Sequence, residues 1–369
     1  MITVVRHEGV RWRAPGRVNL IGEHTDYNEG FAMPLAIDRT CAATARTLDE
    51  PVLLLRSVRP EAQARVALAD LSPGHPDGWA GYIGGVVWAL LRRGIELPGL
   101  AIEIDSNVPM GAGLASSAAL TCSVASAIND LLGLGLGRRD RLDVAVSAEN
   151  DFVGAPTGGM DQLAALYGSA GNVLFCDMRD LDVTPIPFDF KAARLTLLAI
   201  DTGISHSHAD GEYGARRAGC EQAARILGVP ALRDVTDLEA ALAVLPAGSL
   251  RRYARHVVTE NERVLAAAKV LHGGAIDRIG PLMNASHDSL RDDYRVSTAE
   301  LDLAVETLRA MGALGARMTG GGFGGTVIAL LDSGLVDTAS AAVHLMFQAR
   351  GYPPPQAFTV HPSRGAYRA

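Results

Sequence analysis

Apolar positions along the chain switch repeatedly between two periods, 2.0 for strands and 3.6 for helices. Residues 52–58 read as a half-buried strand whose side chains alternate in and out, and 100–104 is a second strand signal. A short apolar run at 18–21 precedes a polar loop, 24–30; the stretches 31–37 and 40–46, rich in small apolar residues, predict two further strands. Helical spacing governs 81–91, the alanine-rich stretch 116–132, and 139–153. After a strand at 195–200, helical patterns return at 214–227, 249–271 and 297–311. A strand–glycine–strand unit at 316–331 and a last helix at 336–350 complete the order. The segment 183–188 carries two prolines and marks the division between an N-terminal lobe, 1–182, and a C-terminal lobe, 183–369. These elements predict an α+β fold of mixed sheets and helices in two lobes, with the ligand site in the cleft between them.

Composition narrows the classes. A chain of 369 residues with 48% hydrophobic content buries enough surface to fold without staples. The net charge of −7 and pI near 5.8 argue against a nucleic-acid or anionic-membrane partner. The longest nearly unbroken apolar run, 82–91, is far short of the ~20 residues a membrane span takes. Residues 1–15 hold no apolar core of a signal peptide, so a cytoplasmic location is expected. Cys41, Cys122, Cys176 and Cys220 are scattered and read as buried thiols in a reducing compartment. Lys191 and Lys269 are the only lysines, and neither follows a phosphate-binding glycine loop. Walker-A and protein-kinase nucleotide sites, both of which need such a lysine, are excluded.

Chemistry is legible in three places. The first is Arg17-Val-Asn-Leu-Ile-Gly-Glu-His-Thr-Asp-Tyr, where Glu23, His24 and Asp26 crowd one loop. Two carboxylates and an imidazole suit a polyhydroxylated ligand, although a solvated polar turn has the same composition. The second is Pro109-Met-Gly-Ala-Gly-Leu-Ala-Ser-Ser-Ala, between a strand and a long helix. Its glycines let backbone N–H groups turn inward, and the helix start adds partial positive charge, so it can hold a polyphosphate without lysine. Ser116 and Ser117 either cap the helix or offer a hydroxyl to a metal ion. The third is Met318-Thr-Gly-Gly-Gly-Phe-Gly-Gly-Thr-Val: a tight hairpin, or a backbone left bare so that something can approach it.

In this order the motifs resemble those of the galactokinases in the GHMP kinase superfamily, over almost the full chain. Residues 16–27 resemble the galactose-recognition signature, 108–119 the ATP-binding loop and 319–325 the third motif. The resemblance implies a two-lobed GHMP-kinase-like fold and ATP-dependent phosphorylation of α-D-galactose at C1, the entry step of galactose catabolism, with Mg²⁺. By position, Arg17 would stabilise the transition state and Asp161, in Gly158-Gly-Met-Asp-Gln, would be the catalytic base. Glu23, His24, Thr25, Asp26, Gly158 and Tyr213 would meet the sugar. Gly111, Ala112, Gly113, Leu114, Ala115, Ser116 and Ser117 would form the nucleotide loop, with Ser57 on the nucleotide side, and Ser117 and Glu149 would hold the metal. A monomer or weak homodimer is implied.

The chain departs from the pattern in places. Ala115 replaces the first of three loop serines, and Gly159 replaces an apolar residue before Met160. His206 and His208 alternate after Ser205; such a pair points apart on a strand, which disfavours a metal site. Two rival functions share these motifs: a catalytically silent sugar sensor, and a kinase for N-acetylgalactosamine or arabinose.

Overall fold

A computed structural model describes residues 9–190, 192–205 and 209–369. His206 and His208 lie outside the described residues. Six strands form the largest sheet, in the order Tyr367–Arg368, Val10–Asn19, Pro34–Leu48, Gly99–Ser106, Val52–Val58 and Glu61–Ala67. All its neighbours run antiparallel except Val52–Val58 beside Gly99–Ser106; the helix Gly78–Arg92 lies on the connection between those two. The helix Ser116–Leu131 buries Ala118, Ala119, Cys122 and Ala125, and these small side chains allow close packing on the sheet.

A four-stranded sheet in the C-terminal half has the order Gly315–Thr319, Gly324–Asp332, Leu195–Ser205, Gln356–Val360. Its central strand, Gly324–Asp332, is buried over all but the last residue, and 327–331 within it is an unbroken apolar run. One core cluster joins the two halves, with Leu20, Leu35 and Ile83 sharing it with Val264, Ile328 and Leu330. No helix among the described residues is long and apolar enough to cross a membrane. The four cysteines are free and buried.

The elements depart from the sequence pattern in instructive ways. The predicted strands 31–37 and 40–46 are a two-residue strand, Phe31–Ala32, and one long strand, Pro34–Leu48, that continues through Asp38 and Arg39. The predicted helix 139–153 is α-helical only over Arg138–Ser147 and widens to a π-helix over Ala148–Val153. The two-proline segment expected to divide the lobes lies largely in the strand Asp182–Pro187, which pairs with Asn172–Asp177 and through it with Phe31–Ala32. The chain end returns to the first half, where Ser363 and Ala366 donate backbone hydrogen bonds to Ala36 and Ala165.

Candidate active site

The strand Val10–Asn19 shifts register between Pro15 and Arg17, and the residue at the shift is Gly16. A Cβ there would sit 2.6 Å from the Leu114 carbonyl oxygen, so only glycine lets the strand press against the glycine-rich turn. Arg17 N then donates to Leu114 O at 3.1 Å and its Nη1 to Gly113 O at 2.6 Å. The rest of the guanidinium meets Asp161, in the first turn of the helix Met160–Tyr167: Nε is 2.8 Å and Nη2 2.6 Å from the same oxygen, Oδ1.

Around this pair lies a cavity of about 220 Å³, lined also by Glu23, His24, Asp26, Ser117, Glu149 and Tyr213. It is rich in acid. Burial and then Asp161 lift Asp26 to about 6, and the same two causes lift Glu149 to about 7. Tyr213 is raised well above the usual phenol by burial and then by Asp26. Asp26 and Glu149 are short of positive charge, because Arg17, the one cation on the wall among the described residues, is engaged by Asp161.

A second cavity, about 410 Å³ and largely apolar, opens beside the first between Trp79, Ile104, Met110 and Leu120. Ser57 and Ser116 line it, and Tyr82 and Ser117 border both cavities. At the junction the helix Ser116–Leu131 begins. Its N-cap is Ala115, in the left-handed region at φ 57°, with no side-chain cap, so Ser116 and Ser117 are not capping residues and the first N–H groups stay available to an anion. Ala112 and Leu114 are buried in the core, so their part at this junction is played by backbone.

The glycines of the third motif have a definite partner. A Cβ on Gly320 would sit 2.8 Å from Gly113 O, and one on Gly325 3.1 Å from Ala112 O. The two glycine-rich turns therefore lie backbone against backbone, joined by Thr326 Oγ1 donating to Ala112 O at 2.7 Å.

Other signature residues divide into those on the wall and those behind it. Glu23 borders the cavity but is ion-paired with the fully buried Arg317, and its Oε1 accepts from Gly320 N at 3.1 Å. Burial raises its pKa against the pull of Arg317. Thr25 does not face the cavity: fully buried, its hydroxyl lies 2.8 Å from Gly22 O and 2.7 Å from Phe31 O, where it ties the loop together. Gly158 stands behind Asp26, where a Cβ would be 2.4 Å from Asp26 Oδ2. Sequence reading missed Arg317, Trp79 and Tyr82; the last two are three residues apart on the helix Gly78–Arg92, a spacing that puts both on one face.

A carboxylate and a hydroxyl, Glu149 and Ser117, stand together on the wall of the first cavity. Glu149 bonds with the Ser117 hydroxyl, and its Oε1 also accepts from Gln162 at 2.8 Å and Thr121 at 3.2 Å. An all-oxygen set of one carboxylate and one hydroxyl suits a hard divalent ion. Among the described residues no group of three His, Cys, Asp or Glu could hold a metal unaided, so phosphate oxygens would complete the set.

Three family models match the chain: the galactokinase galactose-binding signature over residues 4–47, the GHMP kinases N-terminal domain over 81–169, and the GHMP kinases C-terminal domain over 266–349. The galactokinase of Streptomyces coelicolor is 50% identical over 365 residues, covering 98% of this chain and 94% of that protein. That of Chloroflexus aurantiacus is 45% identical over 339 residues, covering 90% and 86%. Among solved structures, the Lactococcus lactis galactokinase complexed with galactose superposes with a TM-score of 0.93 at 30% identity, covering 98% of this chain and 95% of that one.

Proposed function

The chain belongs to the galactokinases of the GHMP kinase superfamily, and we propose that it transfers the γ-phosphoryl group of ATP to the C1 hydroxyl of α-D-galactose, giving galactose 1-phosphate and ADP. The observation that carries this reading is the Arg17–Asp161 pair, set in a polar cavity that meets an apolar one at Ser117.

Galactose occupies the acidic cavity. Asp26 and Tyr213 bond its hydroxyls and Glu23 closes the wall, while Gly158 keeps Asp26 in place. The adenine lies between Trp79, Ile104, Met110 and Leu120, with Ser57 beside it and the phosphates over the turn 111–117. Asp161 accepts or orients the proton of the C1 hydroxyl. Because Arg17 engages Oδ1 with two nitrogens, the carboxylate is held in one rotamer. Arg17 also supplies a permanent cation for the charge that spreads over the transferring phosphoryl oxygens. Ser117 and Glu149 would hold Mg²⁺, which when bound neutralises phosphate charge and orients the leaving group.

The test is ADP release with ATP and Mg²⁺ across a sugar panel. Galactose-dependent release well above that with N-acetylgalactosamine or arabinose supports the assignment; galactose binding without ADP release would identify a silent sensor instead.

A further inference from the structure

The geometry points to Arg317 as a positioning residue for the sugar: one buried guanidinium, tied to Asn19 just before the signature loop and to Glu23 within it, fixes the Glu23 carboxylate on the cavity wall and so sets how tightly galactose is held. This inference deepens the galactokinase reading and rests on it for the identity of the ligand.

Arg317 stands at the middle of the strand Gly315–Thr319 and borders neither of the two cavities. Its side chain is fully buried, which is costly for a cation unless it is paired. Nη1 donates to Asn19 O at 3.1 Å, and Nη2 is ion-paired with Glu23. Thr319, on the same strand, meets the same point: its hydroxyl donates to Asn19 O at 3.2 Å and accepts from Asn19 N at 2.8 Å. The end of the strand Val10–Asn19 is thereby stitched to the strand that leads into the third glycine motif. Further along, the chain is caught again. Glu23 Oε1 accepts from Gly320 N at 3.1 Å while its other oxygen faces Arg317. Anchors at Asn19 and Glu23, both on one guanidinium, leave the carboxylate little freedom to shift.

A second buried carboxylate, Glu260 on the helix Ser249–His272, stands 3.9 Å from Arg317 Nη2. Glu260 has a cation of its own. Arg263 Nε lies 2.7 Å from its Oε2, while Oε1 accepts from Gly22 N at 2.9 Å and from the Ser286 hydroxyl. Burial would raise Glu260, yet Arg263, His256 and Arg317 together bring it down to about 2. Glu23 has no other ion-pair partner among the described residues; burial pushes it up, and Arg317 is the charge that pulls it back. The charge of Arg317 therefore serves Glu23 first. An apolar side chain would fill this place at lower cost, so stability alone is a poor account of three charges buried together. Glu23 is the member of the three that borders the cavity, which places the consequence at the sugar.

The experiment is a double-mutant cycle on the full chain, with galactose affinity read by calorimetry without nucleotide and KM values from ADP release. Arg317→Lys keeps the charge on a stem that cannot reach Asn19 O and Glu23 together. It should weaken galactose binding roughly tenfold, the scale of a displaced hydrogen bond to a charged group, with the KM for ATP within about twofold. Glu23→Gln should weaken galactose binding to a similar degree. Adding Arg317→Lys to Glu23→Gln should then weaken it by no more than about twofold further, because the arginine acts through the carboxylate. If Arg317→Lys alone does not fold, Arg317→Met in the Glu23→Gln background, where the pair is removed as a whole, carries the same comparison. Full additivity of the two substitutions, or an unchanged galactose affinity in folded Arg317→Lys, would overturn the inference while leaving the galactokinase reading in place. A wild type that binds no galactose would overturn both.

Discussion

Arg17 meets Asp161 with two nitrogens on one oxygen, Nε at 2.8 Å and Nη2 at 2.6 Å from Oδ1, while its third nitrogen holds Gly113 O at 2.6 Å. One guanidinium thus fixes the carboxylate and the glycine-rich turn in a single frame. Asp161→Asn keeps the shape and removes the charge, so kcat should fall by ~10²–10⁴, the range of general-base catalysis, with ATP binding largely kept. Arg17→Lys should also be severely impaired, because an ammonium cannot span the three contacts. Stopped-flow rates on variants shown to fold are the check; near-normal kcat in Asp161→Asn would remove it from the chemistry.

Gly158→Ala is a test of sugar geometry at a residue bearing no functional group. The new Cβ would lie 2.4 Å from Asp26 Oδ2 and push that carboxylate off its position. The expected outcome is a galactose kcat/KM reduced by at least tenfold, with the KM for ATP unchanged, since a displaced hydrogen bond to a charged group carries ~1.5–3 kcal/mol.

Asp26 predicts opposite pH trends for stability and binding. Its folded value of about 6 exceeds the ordinary 3.8, through burial and then Asp161. A carboxyl raised in this way contributes stability fully below its unfolded value, and that contribution is lost as pH rises through about 6. Asp26→Asn should therefore melt higher than wild type above pH 6, the gap narrowing toward pH 4. Conversely, the wild-type KM for galactose should rise as pH falls below about 6. Calorimetry and initial rates across that window separate the two.

The metal reading concerns Glu149 and Ser117. Mg²⁺ takes only one or two protein oxygens beside phosphate and water. Glu149→Ala should raise the Mg²⁺ needed for half-maximal rate far more than the KM for galactose. Ser117→Ala should do the same more weakly, because water replaces a neutral hydroxyl more easily. Unchanged Mg²⁺ titrations in both variants would leave the two residues a structural pair.

Much of this site was legible because its signals are local. The strand Val52–Val58, with alternating burial over most of its length, and the helix Val336–Arg350 have the expected bounds. The three glycine- and acid-rich loops stand out because their compositions suit neither strand nor helix. What was not legible is long-range or inward-pointing. Arg317 reads as an ordinary charged strand residue until its partner Glu23, far off in sequence, is brought to it. Thr25 sits inside a ligand signature, yet its hydroxyl turns to the loop's own carbonyls. The π-helical turn at Ala148–Val153, which carries Glu149, continues the apolar spacing of the helix before it, so periodicity cannot separate them. The strand Glu61–Ala67 is an edge strand with small and polar residues, too weakly apolar to announce itself.

The most direct test of the central claim is the ratio of kcat/KM for galactose to that for glucose, in wild type and in Asp26→Ala. The two sugars differ only in the direction of the C4 hydroxyl, which apolar packing barely distinguishes. A carboxylate fixed on the cavity wall does, and sites of this kind reject a mismatched analogue by ~10⁴ or more. The wild type should prefer galactose by a factor of that order, and Asp26→Ala should lower galactose turnover sharply while leaving glucose nearly as it was, so that the ratio collapses. A wild type that prefers glucose, or a ratio intact in Asp26→Ala, would contradict the assignment of this cavity as a galactose site.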